Sequence, residues 1–401
     1  MSANPDAVIL GGGPAGATAA LLLARAGWSV VLLEKKAFPR RKVCGEYLSA
    51  ATLPLLDDLG IGEEFRAAAG PPVTRVGLFA DGVALESELP RPGGRHRAWG
   101  RALGRERLDT LLLAAAARAG AQVLQPCSVL GLVKEGPWHR VRYSSNPQRS
   151  IGEFRTAIVI AAHGSWDAGA LPTQPARNLP RPSDLFGFKA HFVDADLPSG
   201  LMPLLAFPGG YGGMVECDHG RVSLSCCLRR DWLALLHGRH PGEAGEAVLV
   251  HVSESCAGVR RVLRGARRLG PWLAAGPIRP GIRVRAADGL FRVGNAAGEA
   301  HPVVAEGISM AMQSASLLVH QLRAWREQGG SAADLDRVCA RYAAAWRHHF
   351  APRLHASSVV AHWAMRPTAV AAALPILKTL PALLTWCARI SGKASRVIAA
   401  G

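Results

Sequence analysis

The period of the hydrophobic positions changes along the chain, and each period predicts a different kind of element. Residues 6–10 and 30–33 are short, mostly apolar runs of the kind that form buried strands. The Ala- and Leu-rich residues 17–26 lie between them and predict a helix that Gly27 terminates. This order of strand, helix and strand predicts a βαβ unit with parallel strands.

Further along the chain, apolar positions alternate with polar or small ones, as in strands that bury one face. This pattern predicts an antiparallel sheet, broadly from residues 70–100 and 180–285. Residues 208–213 contain four glycines and predict a loop or a bulge in that sheet. The alternating runs are residues 186–192, 204–207, 212–216 and 221–228.

The chain after Trp346 has a helical pattern. Residues 357–365 and 367–384 are apolar, and basic residues flank them. They predict a helical cap that packs on the nucleotide-binding domain, or alternatively a basic, apolar surface that contacts membranes. Prolines that predict breaks are Pro367, Pro375 and Pro381, and the basic residues are Arg366, Lys378, Arg389, Lys393 and Arg396.

The turn after the first strand has the sequence Gly11-Gly-Gly-Pro-Ala-Gly16. In this G-x-G-x-x-G pattern, Gly11 permits the tight turn, Gly13 lets the backbone approach a pyrophosphate, and Gly16 allows close packing of helix on strand. Glu34 ends the second strand and is placed to accept hydrogen bonds from a ribose diol. The spacing predicts a dinucleotide site and leaves FAD and NAD open.

The net charge and the cysteines indicate which partners, which metal or disulfide sites and which compartment to expect. The net charge is +17, but arginines scattered through the chain supply nearly all of it, so we expect no nucleic-acid partner and instead an anionic cofactor or an anionic membrane surface. The eight cysteines form no C-x-x-C pair, so we expect neither a metal site nor a disulfide framework. With no signal-peptide pattern and no apolar run of spanning length, the sequence predicts a cytoplasmic protein, with peripheral membrane contact as the alternative.

Three segments carry a resemblance to a known family. Residues 39–45, Pro-Arg-Arg-Lys-Val-Cys-Gly, resemble the P-R-x-K-x-C-G segment of the geranylgeranyl reductase family, within the wider p-hydroxybenzoate hydroxylase-like flavoproteins. Residues 104–109, Gly-Arg-Glu-Arg-Leu-Asp, are similar to the family's R-x-x-f-D helix start. Residues 289–309 are similar to its second FAD fingerprint, G-D-A-A-x-x-x-x-P-x-x-G-x-G.

The resemblance implies FAD as the cofactor and a fold of the α/β class with an α+β insert. A discontinuous Rossmann-like FAD-binding domain (1–70, 101–180 and 286–330) would carry an antiparallel β-sheet substrate domain (71–100 and 181–285) and a helical C-terminal cap (331–401). The implied cofactor-binding residues are Gly11, Gly13, Pro14, Ala15, Gly16, Glu34, Lys35, Arg40, Arg41, Lys42, Val43, Cys44, Arg105, Val129, Ala162, His163, Gly164, Asn295, Gly298, Pro302, Gly307, Ile308 and Ser309.

Three positions depart from the family pattern. Asn295 replaces the fingerprint Asp, and Ala305 stands where the family usually has Gly. The middle Asp-Gly motif reads Ala161-Ala-His-Gly-Ser165, with His163 in place of Asp. NADPH or NADH is the expected electron donor, and this last departure leaves direct reduction by either open.

Four residues are candidates for catalysis. The resemblance places Cys44 beside the isoalloxazine, with packing as its alternative role. His301 and Glu306 flank Pro302, and either is placed to move a proton or to tune a pKa. Tyr211 is placed to orient a substrate. Structural roles stay open for all four.

The expected reaction is a monooxygenation, hydroxylating or epoxidising a hydrophobic polyketide, aromatic or isoprenoid small molecule. This choice rests on the reactions common in the wider superfamily. The alternative is reduction of a C=C bond in a prenyl or related lipid chain, which the motif around Cys44 favours. Flavin-dependent halogenation is the third reading.

Overall fold

The structure is a computed structural model that describes residues 4–89, 91, 98–145, 150–164, 169–174, 179–239, 242–286, 289–380, 383 and 385. Expectations about Ser165, Pro381, Arg389, Lys393 and Arg396 lie outside the described residues.

A parallel five-stranded sheet forms the nucleotide-binding lobe. Its strands are β1 (Ala7–Leu10), β2 (Val30–Leu33), β7 (Gln122–Leu124), β11 (Ile158–Ala161) and β18 (Phe291–Arg292), in the order β18-β11-β1-β2-β7. Ala7 pairs with Val30 on one side and with Ile158 on the other. The central strands are buried on both faces, which explains their uninterrupted apolar runs. The predicted βαβ unit is confirmed.

Three helices bury this sheet's apolar side chains. They are α1 (Pro14–Arg25), α4 (Arg105–Arg118) and α8 (Gly307–Glu327). Leu21, Leu112 and Leu318, one from each helix, are 0% exposed and belong to the same core. Helix α8 starts at Gly307, inside the segment that resembles the second FAD fingerprint, and runs to Glu327.

A seven-stranded sheet forms the second lobe, in the order β16-β12-β15-β14-β13-β4-β5. Its strands are β4 (Arg75–Ala80), β5 (Val83–Glu88), β12 (Leu185–Val193), β13 (Leu201–Phe207), β14 (Gly210–Glu216), β15 (Val222–Arg229) and β16 (Arg267–Ile278). The expectation of a wholly antiparallel sheet is wrong at one pair, because β4 and β13 run parallel. The chain passes through the nucleotide-binding lobe between them, so no hairpin turn fixes their relative direction.

The loop or bulge predicted at residues 208–213 is also wrong. Pro208 and Gly209 form a short turn, and the chain then continues directly as β14, with Gly210 paired to Leu228. A Cβ on Gly210 would lie 2.2 Å from the Phe207 ring, so close packing explains this glycine.

Several elements were not predicted from the sequence. Helices α5 (Arg230–Arg239), α6 (Ala244–Ser255) and α7 (Ala257–Val262) lie within the segment predicted as sheet and cover its outer face. A three-stranded meander follows β7, and two strand pairs and two short helices complete the lobes. The meander consists of β8 (Cys127–Glu135), β9 (Trp138–Ser145) and β10 (Ser150–Thr156). The strand pairs are β3 (Tyr47–Leu48) with β6 (Arg101–Ala102), and β17 (Gly281–Ile282) with β19 (Gly298–Glu299). The short helices are α2 (Leu53–Asp58) and α3 (Gly62–Ala68).

Two helices end the described chain, α9 (Leu335–Ala364) and α10 (Pro367–Thr379). The break predicted at Pro375 is wrong, because Pro375 lies inside α10, where the exposed Ala371 carbonyl can bind water instead. The first half of α9 packs in the nucleotide-binding core, and its end packs with α10 on the second sheet. Within the described residues, no helix is both long and apolar enough to cross a bilayer.

Candidate functional site

The turn after β1 forms a narrow cradle. A Cβ on Gly16 would lie 1.9 Å from the Gly11 carbonyl oxygen, so only glycine lets α1 start this close to β1. Gly11 itself has φ 111°, a left-handed value that favours glycine. At Gly13 the nearest atom to an added Cβ is Nη2 of Arg105, at 3.9 Å, so the backbone there borders open space.

Glu34 is fixed at the end of β2, as the sequence predicted. One carboxylate oxygen accepts a hydrogen bond from the Gly12 N–H at 2.7 Å, and the other accepts from the Lys36 N–H at 2.9 Å. The carboxylate is therefore already oriented beside the cradle. Lys35 is exposed, and Val129 is half-buried on β8, the strand that begins with a hydrogen bond to the Glu34 carbonyl.

In the segment after β2, residues 40–44, successive side chains alternate between contacts with the nucleotide-binding lobe and contacts with the second lobe. Arg40 pairs with Glu34 at 3.5 Å, and the Cys44 side chain interacts with Arg105, so these residues face the cradle. Arg41 instead contacts His191 of β12 at 3.0 Å. Val43 also packs on β12, since its Cγ1 lies 3.0 Å from a Cβ added at Gly187.

Cations surround the cradle. Arg105 makes a two-point ion pair with Asp109, with 2.7 Å for both contacts. Burial, together with the charges of Arg105 and Arg40, lowers the pKa of Lys42 to about 8. A diphosphate placed here would relieve this mutual repulsion.

The His163 and Asn295 segments border the same cradle. An added Cβ would meet no atom within 4 Å at Gly164 or Gly307, so both glycines border open space. Ala162 continues β11 and contacts the Gly11–Gly16 turn. His163 adjoins Gly164. The Asn295 amide donates a hydrogen bond to Glu299 at 2.9 Å.

Gly298 has a packing role as well. A Cβ on Gly298 would lie 2.2 Å from the Trp346 ring, so this glycine makes room for the C-terminal helix α9. Pro302 is exposed, while Ile308 and Ser309 are buried in the first turn of α8. The Ser309 hydroxyl lies 3.2 Å from that of Ser49, which connects α8 to the segment after Cys44.

These residues fit a bound FAD. The backbone at Gly13, Gly164 and Gly307 leaves an open path along the cradle. The first turn of α1 contains Pro14 and Ala15 and no acidic residue, so its N–H groups favour an anion. Arg40, Lys42 and Arg105 would face the diphosphate of a bound FAD with their positive charges.

Glu306 is buried behind the start of α8. Its carboxylate accepts a hydrogen bond from Ser49 at 3.3 Å. Burial and the charge of Glu306 raise the pKa of Tyr47, which keeps that phenol protonated. Catalysis by Glu306 stays a prediction.

Tyr211 and His301, two of the candidate catalytic residues, meet across the lobes. The Tyr211 hydroxyl lies 3.1 Å from Nδ1 of His301, and both side chains are buried. Burial, with a contribution from His362, lowers the pKa of His301 to about 4, so its imidazole is neutral near pH 7. A neutral imidazole can donate or accept one proton.

A polar network on β12 was not predicted from the sequence. Residues 186–192 were expected to form a half-buried strand, but Lys189 and His191 are 0% exposed, because the loop that carries Glu46 covers them. Lys189 forms an ion pair with one Glu46 oxygen, and Nε2 of His191 lies 2.8 Å from the other. A lysine and a histidine two positions apart among phenylalanines were the available signal, since they share one face of a strand.

Hydrogen-bond roles fix the state of His191. Arg41 can only donate, so Nδ1 of His191 must accept, and Nε2–H donates to Glu46. His191 is therefore neutral in this network. Cys217 lies close enough to Glu46 and His191 for the three to hold a metal ion. Burial raises the pKa of Cys217, and Lys189 already pairs with Glu46, so the cluster favours a hydrogen-bond network over a cation.

Comparisons with known proteins agree with this geometry. The FAD binding domain family matches residues 4–174. A menaquinone reductase of Mycolicibacterium smegmatis is 32% identical over 34% of this chain and 32% of its own length. The chain thus spans about a third of the length of the menaquinone reductases that it matches.

Two longer similarities cover most of the chain. Digeranylgeranylglycerophospholipid reductase 2 of Methanopyrus kandleri is 28% identical over 76% of this chain and 73% of its own length. The structure of the myxobacterial chondrochloren halogenase CndH covers 86% of this chain and 80% of its own, with a TM-score of 0.74 at 22% identity. The latter similarity concerns the fold alone. Proteins of this fold include two halogenases, a geranylgeranyl bacteriochlorophyll reductase-like protein and PqsL of Pseudomonas aeruginosa, described as a probable FAD-dependent monooxygenase.

Proposed function

Because residues 4–174 match an FAD binding domain family and the cradle fits FAD, we propose that this chain is an FAD-dependent reductase of carbon–carbon double bonds. Its substrate is a small molecule with an apolar chain of the isoprenoid type. The observation that carries this proposal is the position of Cys44 between the two lobes. The reductase similarity over 76% of the chain supports it.

Cys44 is half-buried, and its sulfur accepts a hydrogen bond from the Glu46 N–H at 3.4 Å while it also interacts with Arg105. The neighbouring Gly45 faces the second sheet, because a Cβ there would lie 3.4 Å from the Ser225 hydroxyl. The thiol therefore lies where the cofactor cradle and the substrate sheet meet.

Reduction of a C=C bond adds a hydride to one carbon and a proton to the other. The cradle of Gly13, Glu34 and Lys42 would hold FAD, and hydride transfer is the chemistry that the reduced cofactor would supply there. The S–H bond of Cys44 breaks as its proton forms the second C–H bond, and Arg105 stabilises the resulting thiolate. Asp109 holds Arg105 in place, and water returns the proton to Cys44 after product release. The neutral His301 and Tyr211 orient the substrate at the far side of the site.

An oxygen-dependent reaction is the second candidate, as a monooxygenation or a halogenation. The burial of Tyr211 and His301 favours it, because oxygen chemistry at a flavin requires a site from which water is excluded. NADPH or NADH is the proposed electron donor for either reaction.

Contact with a membrane is part of the same proposal. Val359, Ile376 and Leu380 are 71%, 55% and 57% exposed on α9, on α10 and just after it. The basic residue Arg366 lies between these two helices, and Lys378 lies on α10. A surface of this kind would let an apolar substrate pass from an anionic bilayer into the protein.

Anaerobic reoxidation tests the proposal. The FAD-loaded protein is reduced without oxygen by NADPH, by NADH or by dithionite, and geranylgeraniol or a menaquinone is then added while flavin absorbance is recorded. We expect the flavin to reoxidise and the product, after air has oxidised any quinol, to carry two additional hydrogens in its isoprenoid chain. Reoxidation only after oxygen is admitted, with oxygen or a halogen in the product, would replace the reductase by the second candidate.

A further inference from the structure

A cavity of about 270 Å³ opens beside residues 300–306, the loop before α8, which we call the flavin loop because α8 starts at the cradle. His301, which directly precedes Pro302 of that loop, is part of its wall. The ends of β12, β15 and β16 and the junction of α9 and α10 complete it. The residues used below are Arg181, Asp184, Arg229, Arg279, His301 and Arg366.

The cavity is strongly basic. Four arginines and a single carboxylate line it. That carboxylate belongs to Asp184, which is buried and already engaged. It accepts two hydrogen bonds from Arg279 at 2.7 and 2.8 Å and one from the Arg181 N–H at 2.9 Å. Asp184 therefore holds Arg279 in place and cannot neutralise the other cations.

Two of the arginines are available for a ligand. Arg229 pairs with Asp231, outside the cavity. Among the described residues, the guanidinium groups of Arg181 and Arg366 have no ion-pair partner, and both side chains are exposed at the opening. Uncompensated guanidinium groups beside one cavity favour an anion, and their planar fork suits a carboxylate or a phosphate.

The deeper wall is apolar. Leu185, Ile278 and Met365 line the cavity, and among the described residues of its wall His301 is the histidine whose ring is buried. Nδ1 of His301 is engaged by Tyr211. The cavity thus combines a cationic opening with an apolar interior next to the flavin loop.

We propose that this cavity is a substrate subsite for an anionic amphiphile. Arg181 and Arg366 bind its carboxylate or phosphate, and its apolar part lies against Leu185, Ile278 and Met365 towards His301. The inference rests on the proposed function, since the subsite serves substrate held beside the flavin. It adds that the substrate has a charged end.

Calorimetric titration of the FAD-loaded protein tests the subsite. The probes are dodecanoate, dodecyl phosphate, uncharged dodecanol and inorganic phosphate. Arg181→Gln and Arg366→Gln remove one guanidinium each, and Arg264→Gln, at an exposed arginine outside the cavity, is the matched control. FAD content and the unfolding temperature of each variant establish that it is folded.

We expect one of the two anionic amphiphiles to bind, and the tighter one identifies the head group as carboxylate or phosphate. Each cavity variant should weaken that binding by about tenfold, added salt should weaken it further, and Arg264→Gln should not change it. Equal binding of dodecanol, or unchanged binding in both cavity variants, would overturn the inference. Binding of inorganic phosphate as tightly as the amphiphiles would also overturn it, because the apolar wall would then contribute nothing. These titrations need no turnover, so their outcome is independent of whether the flavin reduces an alkene.

Discussion

The carboxylate of Glu46 accepts a hydrogen bond from Nε2 of His191 at 2.8 Å, in a position where both side chains are 0% exposed. Glu46 lies in the segment that follows the nucleotide-binding strand, whereas His191 lies on the second sheet. The other Glu46 oxygen pairs with Lys189 and accepts a hydrogen bond from the Arg105 N–H at 3.1 Å. One carboxylate thus joins the cofactor cradle, the start of α4 and the second sheet.

Removing this carboxylate should destabilise the protein strongly. Glu46→Gln leaves Lys189 buried without a counter-charge, which should lower the free energy of unfolding by about 3–5 kcal/mol. Glu46→Gln combined with Lys189→Met should recover most of the loss. The control is Glu86→Gln, which breaks the half-exposed pair with Arg75 and should cost less than about 1 kcal/mol. Urea unfolding measures all three, and equal losses at Glu46 and Glu86 would contradict the role of burial.

The Glu46–Lys189 pair should also determine how the free energy of unfolding decreases at acid pH. Burial alone would raise the pKa of Glu46, but Lys189 and His191 lower it from 4.5 to about 2. Because the folded-state pKa is the lower one, this stabilisation is complete above pH 4.5 and is lost as the pH falls towards 2. Unfolding measured across this range should show a steeper loss for the wild type than for Glu46→Gln/Lys189→Met. Parallel curves would mean that other groups govern acid unfolding.

Two glycines of the cradle should respond differently to the same methyl group. Gly13→Ala should fold normally, since only Arg105 lies within 4 Å of the added Cβ, yet it should bind FAD at least about tenfold more weakly because the methyl occupies the diphosphate path. Gly16→Ala should destabilise the protein with or without FAD, because its Cβ would lie 1.9 Å from the Gly11 oxygen. Flavin fluorescence titration and thermal unfolding separate the two effects. Gly238→Ala, in α5 with nothing within 4 Å, is the control.

Cys44→Ala should retain FAD but lose activity. If the thiol supplies the proton, kcat should fall by about 10²–10⁴, and Cys44→Ser should keep more activity than Cys44→Ala because a hydroxyl can still donate. Steady-state rates across pH, with FAD content measured for each variant, provide the test. An unchanged rate in Cys44→Ala would assign Cys44 to packing.

His301 should make stability fall below neutral pH. Burial and His362 lower its pKa from 6.5 to about 4, so between these values the unfolded chain binds a proton that the folded protein does not. Stability should therefore decrease by roughly 1–3 kcal/mol as the pH falls from 6.5 to 4. His301→Gln should remove this component, whereas His355→Gln, at an exposed position of α9, should preserve it. Denaturant unfolding at several pH values within this window makes the comparison.

The sequence by itself determined the cofactor cradle, because its signals are local. The Gly11–Gly16 turn, α1 and Glu34 lie within one βαβ unit, so their spacing fixes their relative positions before any distant contact forms. The FAD class followed from the segments around Cys44, Arg105 and Pro302, whose order along the chain resembles one family of flavoproteins.

Only the tertiary structure decided which side chains meet across the lobes. Glu46 and His191 are 145 residues apart in the chain, and Tyr211 and His301 are 90 apart. An alternating strand pattern marks Lys189 and His191 as sharing a face, but it does not reveal whether water or another lobe covers that face. Because the loop that carries Glu46 covers β12, the strand that was expected to be half-buried instead holds a buried ionic network. The tertiary structure also decided that β4 and β13 run parallel. The chain between these two strands passes through the other lobe, so no local turn fixes their relative direction.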